Sequence, residues 1–362
     1  MPLGSPRGFL GGKMPGNDNV HASKAEKADE FYTKLSFIED ELKHYKNYLR
    51  GKTVFCNCDD PYESNFFKFF AMSFNDLGLK KLIATCFSPS PVAYQQLSLF
   101  DEEENEPKKA YKVEITEIKD ENGDGRIDLE DVEYILQHKE GVLSELKGNG
   151  DFRSNECIEL LKEADVIITN PPFSIFREYF SLLMKYKKDF LIVANENMVF
   201  YKEILPYFKQ NKVWLGYNAG HFWFKVPEYY EEKKTDFKID ENGQKWRRLG
   251  NICWFTNIDI AKRYENLILY KHYNPEDYPT YENYNAIHIH LVRDIPCDFD
   301  GIMGVPVSFM EKFNANQFEI VGHTNSGDNS PEVEAIRTDN NHRHGGLLNG
   351  KEQYARLLIR RK

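Results

Sequence analysis

Short apolar runs alternate along the chain with segments whose apolar positions recur at helical spacing. Residues 24–50 carry charged and apolar positions at helical spacing, and the run 52–58 reads as a first strand. A strongly aromatic helix is expected over 64–74 and a second strand over 79–87, ended by the Ser/Pro-rich residues 88–91. Helical spacing over 157–163 leads into a β-rich run at 165–169, a second helix over 174–188 and a strand over 189–194. Later strands are expected at 212–216, 222–226 and 251–256. Strands alternating with helices predict an α/β fold, a doubly wound and mostly parallel sheet. Ligands of such sheets bind beyond the carboxyl ends of the strands. From about residue 270 the rhythm fades into clustered Tyr and six of the ten His, which predicts a smaller, irregular α+β region over 270–362.

Composition changes this picture at three points. Residues 1–23 contain a Gly/Pro-rich stretch and are expected to be a disordered leader or linker, so the folded body is expected over 24–269. No apolar run approaches the roughly 18 residues of a membrane span. The six cysteines are scattered, with no metal or disulfide spacing among them, which suits a reducing cytoplasm. The formal charge is −10, but residues 101–133 hold 14 acidic against 5 basic residues, so the rest of the chain is near neutral. Basic clusters stand at Lys185-Tyr186-Lys187-Lys188, Lys245-Trp246-Arg247-Arg248 and Arg360-Arg361-Lys362. Net charge therefore does not exclude nucleic acid, which needs a basic groove rather than a basic protein.

The β-rich run ends in Asn170-Pro171-Pro172-Phe173. A strand ending in Asn-Pro-Pro-aromatic suits methylation of a nitrogen whose lone pair is delocalised, such as an exocyclic amine or an amide. The Asn170 side-chain oxygen can accept one N–H, and the Pro171 carbonyl, fixed by two restricted φ angles, can accept the other. Together they favour a more tetrahedral nitrogen facing a methyl donor, and Phe173 offers a stacking face. The same residues could simply end a strand with a turn.

A methyl donor of the S-adenosylmethionine type needs acceptors for its ammonium group, a partner for its adenine and an apolar cradle. Asp59 and Asp60, after the first strand, fit the ammonium or else cap the next helix. Asp151 and Phe152 fit the adenine or else form a Gly-rich turn over a buried ring. Phe31, Tyr32 and Thr33 would close over the donor. An acidic insertion is expected over 101–140. Within it, Asp120, Asn122, Asp124, Asp128 and Asp131 have the spacing of an EF-hand loop, with the Arg126 carbonyl at its seventh position. That loop would hold a structural Ca²⁺ or be an acidic surface turn.

Taken together, these motifs resemble the EcoRI-type family of DNA adenine-N6 methyltransferases. The resemblance runs from Asp29-Glu30-Phe31-Tyr32-Thr33 through Cys56-Asn57-Cys58-Asp59-Asp60-Pro61, Gly150-Asp151-Phe152-Arg153-Ser154 and Asn170-Pro171-Pro172-Phe173 to Gly250-Asn251-Ile252-Cys253-Trp254-Phe255 and Gly304-Val305-Pro306. It implies a Rossmann-like, S-adenosylmethionine-dependent enzyme of γ-like motif order that methylates N6 of a flipped-out adenine in double-stranded DNA. Such an enzyme works beside a cognate restriction endonuclease or as a solitary epigenetic enzyme, and a monomer suffices. The resemblance assigns the donor to Phe31, Tyr32, Thr33, Asn57, Asp59, Asp60, Asp151 and Phe152. It assigns the target base to Asn170, Pro171, Pro172 and Phe173, with Trp254 or Phe255 as the opposite wall unless these rings are core. Residues 270–362 would recognise the DNA. The turn after the first strand lacks the family's usual Gly-rich character, and no acid follows the second strand. Alternatives are methylation of RNA adenine or protein glutamine, or a non-catalytic calcium-dependent binding module.

Overall fold

The structure, a computed structural model, describes residues 33–62, 64–87, 110–138, 142–226, 228, 230–325, 328–339 and 345–362. Four parallel strands form its centre: β1 (Thr53–Cys56), β2 (Lys81–Thr85), β5 (Val166–Thr169) and β6 (Asp189–Asn195), ordered β2-β1-β5-β6. Their registers pair Cys56 with Ala84, Phe55 with Ile167 and Thr169 with Ile192, so their carboxyl ends lie along one edge.

Antiparallel margins flank this centre. On one side stand β3 (Tyr111–Ile115) and β4 (Leu143–Glu145). The acidic composition around β3 hid a period-2 pattern in which Tyr111, Val113 and Ile115 are buried while Lys112 and Glu114 are half-buried. On the other side stand β7 (Trp214–Lys225), β8 (Phe237–Ile239) and β9 (Lys245–Thr256). The two strands expected at 212–216 and 222–226 are one long strand, because its register shifts between Leu215 and Ala219. The polar interruption is a bulge occupied by the buried Glu41 carboxylate, which accepts the amides of Tyr217 and Asn218 at 2.8 Å each. Lys262 donates to the carbonyls of Gly216 and Tyr217.

Alternation along each central strand sorts side chains to two faces. Val54, Leu82, Ile168 and Val193 pack beneath the aromatic helix Asn65–Met72, with Phe66, Phe67 and Phe70. Phe55, Ile83, Ile167 and Ile192 meet helices Asn155–Glu163 and Phe176–Lys185 through Leu161, Phe176 and Phe180. Full burial of each such side chain contributes about 1.5–3 kcal/mol. The molecule is thus a mixed α/β structure with helices on both faces of a large sheet.

The later residues add β10 (Ile287–His288), β11 (Met303–Val305), β12 (Phe318–His323), β13 (Leu347–Leu348), β14 (Lys351–Glu352) and β15 (Leu357–Arg361). A small mixed sheet runs β10-β11-β15-β12, and β13 and β14 form a hairpin. Met303, Val305, Phe318 and Ile359 share one apolar cluster with Phe176 and Phe190, so this sheet packs on the main body. Among the described residues, no helix is long and apolar enough to cross a membrane.

Candidate active site

The carboxyl edge of the parallel centre gathers most of the residues singled out in the sequence. Asn57, Cys58, Asp59 and Asp60 follow β1, and Asn170-Pro171-Pro172-Phe173 follows the neighbouring β5. Pro172 is extended (φ −56°, ψ 130°), Phe173–Ile175 makes a single 3-10 turn, and helix Phe176–Lys185 begins at once. Two prolines stop the strand and the tight turn starts the helix, so the motif is held at the edge rather than in a long loop. Phe173 is half-buried and touches the apolar clusters of both faces, while Asn170 stays partly exposed.

Asp59 links the two strand ends. Its buried carboxylate accepts the Ser64 hydroxyl at 2.7 Å, the Thr169 hydroxyl in a short contact and the backbone N–H of Asn170. Burial pushes this carboxyl up to about 6, against the lowering pull of those donors. Ser64 also caps helix Asn65–Met72 by accepting the Phe66 amide, so the capping alternative for the acidic turn falls to Ser64. Asp60 accepts the Tyr62 amide at 2.9 Å and the Tyr111 hydroxyl at 3.0 Å, which brings β3 against the turn. Asn57 accepts the Tyr179 hydroxyl through its side-chain oxygen. Its side-chain nitrogen is buried with no partner among the described residues, as is the Thr33 hydroxyl. Such orphaned groups are costly unless a ligand completes them. The residues present therefore fit a polar donor molecule seated at the strand ends.

Gly150, at φ 77°, brings the loop before helix Asn155–Glu163 against the end of β2; a Cβ there would lie 2.0 Å from the Cys86 carbonyl. This places Phe152 edge-on to Tyr179, with ring centroids 5.3 Å apart. Asp151 grips Arg153 through both oxygens, at 2.9 and 2.7 Å, and that side-chain pairing lowers its carboxyl below the usual range. Phe31 and Tyr32 lie outside the described residues.

Trp254 and Phe255 are fully buried on opposite faces of β9, which corrects their expected place as a pocket wall. Trp254 stacks on Phe37 at 5.0 Å, and Phe255 meets Phe208 edge-on at 5.1 Å. Both are core rings because each face of β9 is covered, by Phe37 and Phe66 over Trp254 and by Phe176 and Phe208 over Phe255. The calcium expectation also finds no support in the geometry. Asp120 accepts the amides of Gly123 and Gly125, Asn122 that of Asp124, Asp124 that of Arg126, and Asp128 that of Glu130. Asp131 accepts the amides of Glu121 and Asp128, and among the described residues the carboxylates of this loop do not gather as a group that could hold a metal ion.

Sequence reasoning missed the groups that orient the site: Thr169, Tyr179 and Tyr111. Their hydroxyls lie 110, 122 and 51 residues from their partners, and no local pattern marks such pairs. It also missed Glu196, buried just after β6 and pushed up to about 7 by burial and by Glu311. Beyond Asn195, which pairs with Ile252, β7 and β9 continue past the end of β6 as an arm on this same edge. The arm pairs Trp223 with Arg248 and Lys225 with Trp246, while Lys238 of β8 lies 4.8 Å over the Trp223 ring.

A sheet that presents Asn-Pro-Pro-Phe at a strand end, beside a buried acidic turn, defines a methyltransferase that acts on an amino nitrogen. The chain belongs to the family described as "Adenine-specific methyltransferase EcoRI", whose model matches residues 19–362. It is 41% identical over 350 residues to the Type II methyltransferase M.EcoRI of Escherichia coli, covering 96% of this chain and 97% of that protein. Similarity extends to the Type II methyltransferases M.MgeORF184P of Mycoplasma genitalium (34% over 356 residues; 94% and 99% covered) and M.MpnI of Mycoplasma pneumoniae (33% over 350 residues; 94% and 97% covered). No solved structure gives a significant match.

Proposed function

We propose that this protein is a site-specific DNA methyltransferase that moves the methyl group of S-adenosylmethionine to N6 of an adenine in double-stranded DNA. The observation that carries the reading is the Asn-Pro-Pro-Phe segment, held at the carboxyl edge through Asp59 and the Asn170 amide. When bound, the donor supplies an electrophilic methyl on a sulfonium. The Asn170 side-chain oxygen and the Pro171 carbonyl hold the two N6 protons, aiming the nitrogen lone pair at that methyl. The donor would supply its methyl to N6 and leave as the neutral thioether, and the proton lost from N6 would pass to water at the partly exposed strand edge. A stacked base cannot reach this edge, so the adenine is flipped out and stacks on Phe173, at a cost of a few kcal/mol.

Asn57, Asp59, Asp60 and Thr33 would hold the donor, with Asp151 and Phe152 on the side of its adenine. The parallel centre with helices on both faces supports a doubly wound, Rossmann-like body over 24–269. DNA contacts come from 270–362 and from the arm of β7, β8 and β9, whose interleaved Lys, Arg and Trp suit a phosphate backbone. The enzyme works in the cytoplasm as a monomer, beside a cognate endonuclease or alone.

The test is incubation with labelled donor and duplex DNA, RNA or protein. Duplex DNA should gain N6-methyladenine, and Asn170→Ala should lose at least about 10²-fold in turnover while donor binding survives. Label in RNA or protein alone, or wild-type turnover in Asn170→Ala, overturns the reading.

A further inference from the structure

We propose that His272, Cys297 and Asp298 form a binding site for a divalent transition-metal ion of the zinc type, separate from the methyl-transfer site. These three residues bring one N, one S and one O ligand atom within 4.8 Å of one another. The Cys297 Sγ lies 3.7 Å from His272 Nδ1, and Asp298 Oδ2 lies 2.9 Å from the same nitrogen. Zinc bonds of about 2.3 Å to sulfur and about 2.0–2.1 Å to nitrogen and oxygen, at tetrahedral angles, put S and N about 3.5 Å apart and N and O about 3.3 Å apart. Both observed separations to the imidazole nitrogen lie within a few tenths of an ångström of those values, and the sulfur and carboxylate oxygen are within 4.8 Å of each other.

Both contacts fall on one ring nitrogen. A Cys-His-Asp relay needs the thiol on one imidazole nitrogen and the carboxylate on the other, so this trio is not built to activate a nucleophile. It converges on one point instead. The mixed N, S, O donor set selects borderline ions such as Zn²⁺ over Ca²⁺ or Mg²⁺. His272 is 77% exposed and Asp298 46%, which leaves the fourth position open to water.

The surroundings hold the ligands in place. Asp298 Oδ1 accepts the Tyr273 amide at 2.7 Å, which leaves Oδ2 turned to the imidazole. The Cys297 amide donates to the Lys271 carbonyl at 2.7 Å, its own carbonyl accepts the Arg361 guanidinium, and a parallel bridge joins Lys271 to Pro296. Outer contacts of this kind orient first ligands at metal sites. The ion would clamp the segment around His272 to the segment around Cys297, stapling the start of the later residues to the small sheet through Arg361 of β15.

The test uses the full chain stripped with a chelator and titrated with Co²⁺ alone, which reports its ligands by absorption. One equivalent should bind, with a thiolate-to-cobalt charge-transfer band and four-coordinate d–d bands, both removed by excess Zn²⁺. Cys297→Ser should lose the charge-transfer band, and both Cys297→Ser and His272→Ala should weaken Co²⁺ binding by at least about tenfold. Zn²⁺ should raise the thermal midpoint of the wild type and not of Cys297→Ser. Absence of a sulfur–cobalt band in the folded wild type, or its persistence in Cys297→Ser, overturns the site and leaves a plain hydrogen-bonded cluster. Neither readout uses methyl transfer, so this outcome is independent of the proposed function.

Discussion

Ionised Asp59 accepts donors from Ser64, Thr169 and the Asn170 amide, and so fixes the start of the Asn-Pro-Pro-Phe segment. A proton on this carboxyl turns one acceptor into a donor, so the Ser64 or Thr169 hydroxyl must reverse or let go, which loosens the hold on the strand end. The folded group is pushed up to about 6 from an ordinary value of 3.8, so the folded state binds the proton more tightly than the unfolded one. The stability this proton confers is complete below the unfolded value and lost as pH rises through about 6. Ionisation above that point costs stability but sets Asn170. Methyl transfer should therefore fall as pH drops through about 6, and Asp59→Asn should be slower at neutral pH and lack that limb. A pH–rate profile of both proteins checks this; a limb retained in Asp59→Asn would belong to another group, Glu196 being near in range.

At the scale of elements, the bulge in β7 needs helix Leu35–Leu42 to be whole. Glu41 on that helix takes two backbone amides, the Asn218 side chain and the Tyr45 hydroxyl, all in a buried setting. A Cβ on Gly216 would lie 2.2 Å from its carboxylate, so only glycine lets the strand approach. Glu41→Gln keeps the shape but turns an amide donor toward donors. It should lower unfolding free energy by about 1–3 kcal/mol in denaturant titrations, the cost of an unmet buried group. An unchanged midpoint would show that the bulge holds itself.

For the whole molecule, charge is segregated. The acidic residues 101–133 carry nearly all of the net −10, while Lys238 and Arg248 stand exposed on the arm past the carboxyl edge of β6. If the arm tracks the DNA backbone, Lys238→Ala with Arg248→Ala should weaken duplex binding about equally across sequences. It should also reduce the slope of log affinity against log salt by about 2, one per phosphate contact. Binding isotherms at several salt concentrations check this; an unchanged slope would move the backbone contact elsewhere.

Legible in the sequence were the central strands, the helices after β1 and β5, and the placing of Asn57 to Asp60 and of Asn-Pro-Pro-Phe at neighbouring strand ends. All of these are local: apolar period, proline geometry and residue type are properties of short windows. The antiparallel margins were less legible, because β3 lies in an acidic stretch and the bulge of β7 breaks its apolar run. Tertiary structure alone decided what joins distant windows. It set Tyr179 on Asn57, Tyr111 on Asp60 and Thr169 on Asp59, buried Trp254 and Phe255 in the core, and brought His272 to Cys297, 25 residues away. The physical reason is that a side chain's partners are set by which strands pair and which faces pack, and short sequence patterns do not encode that pairing.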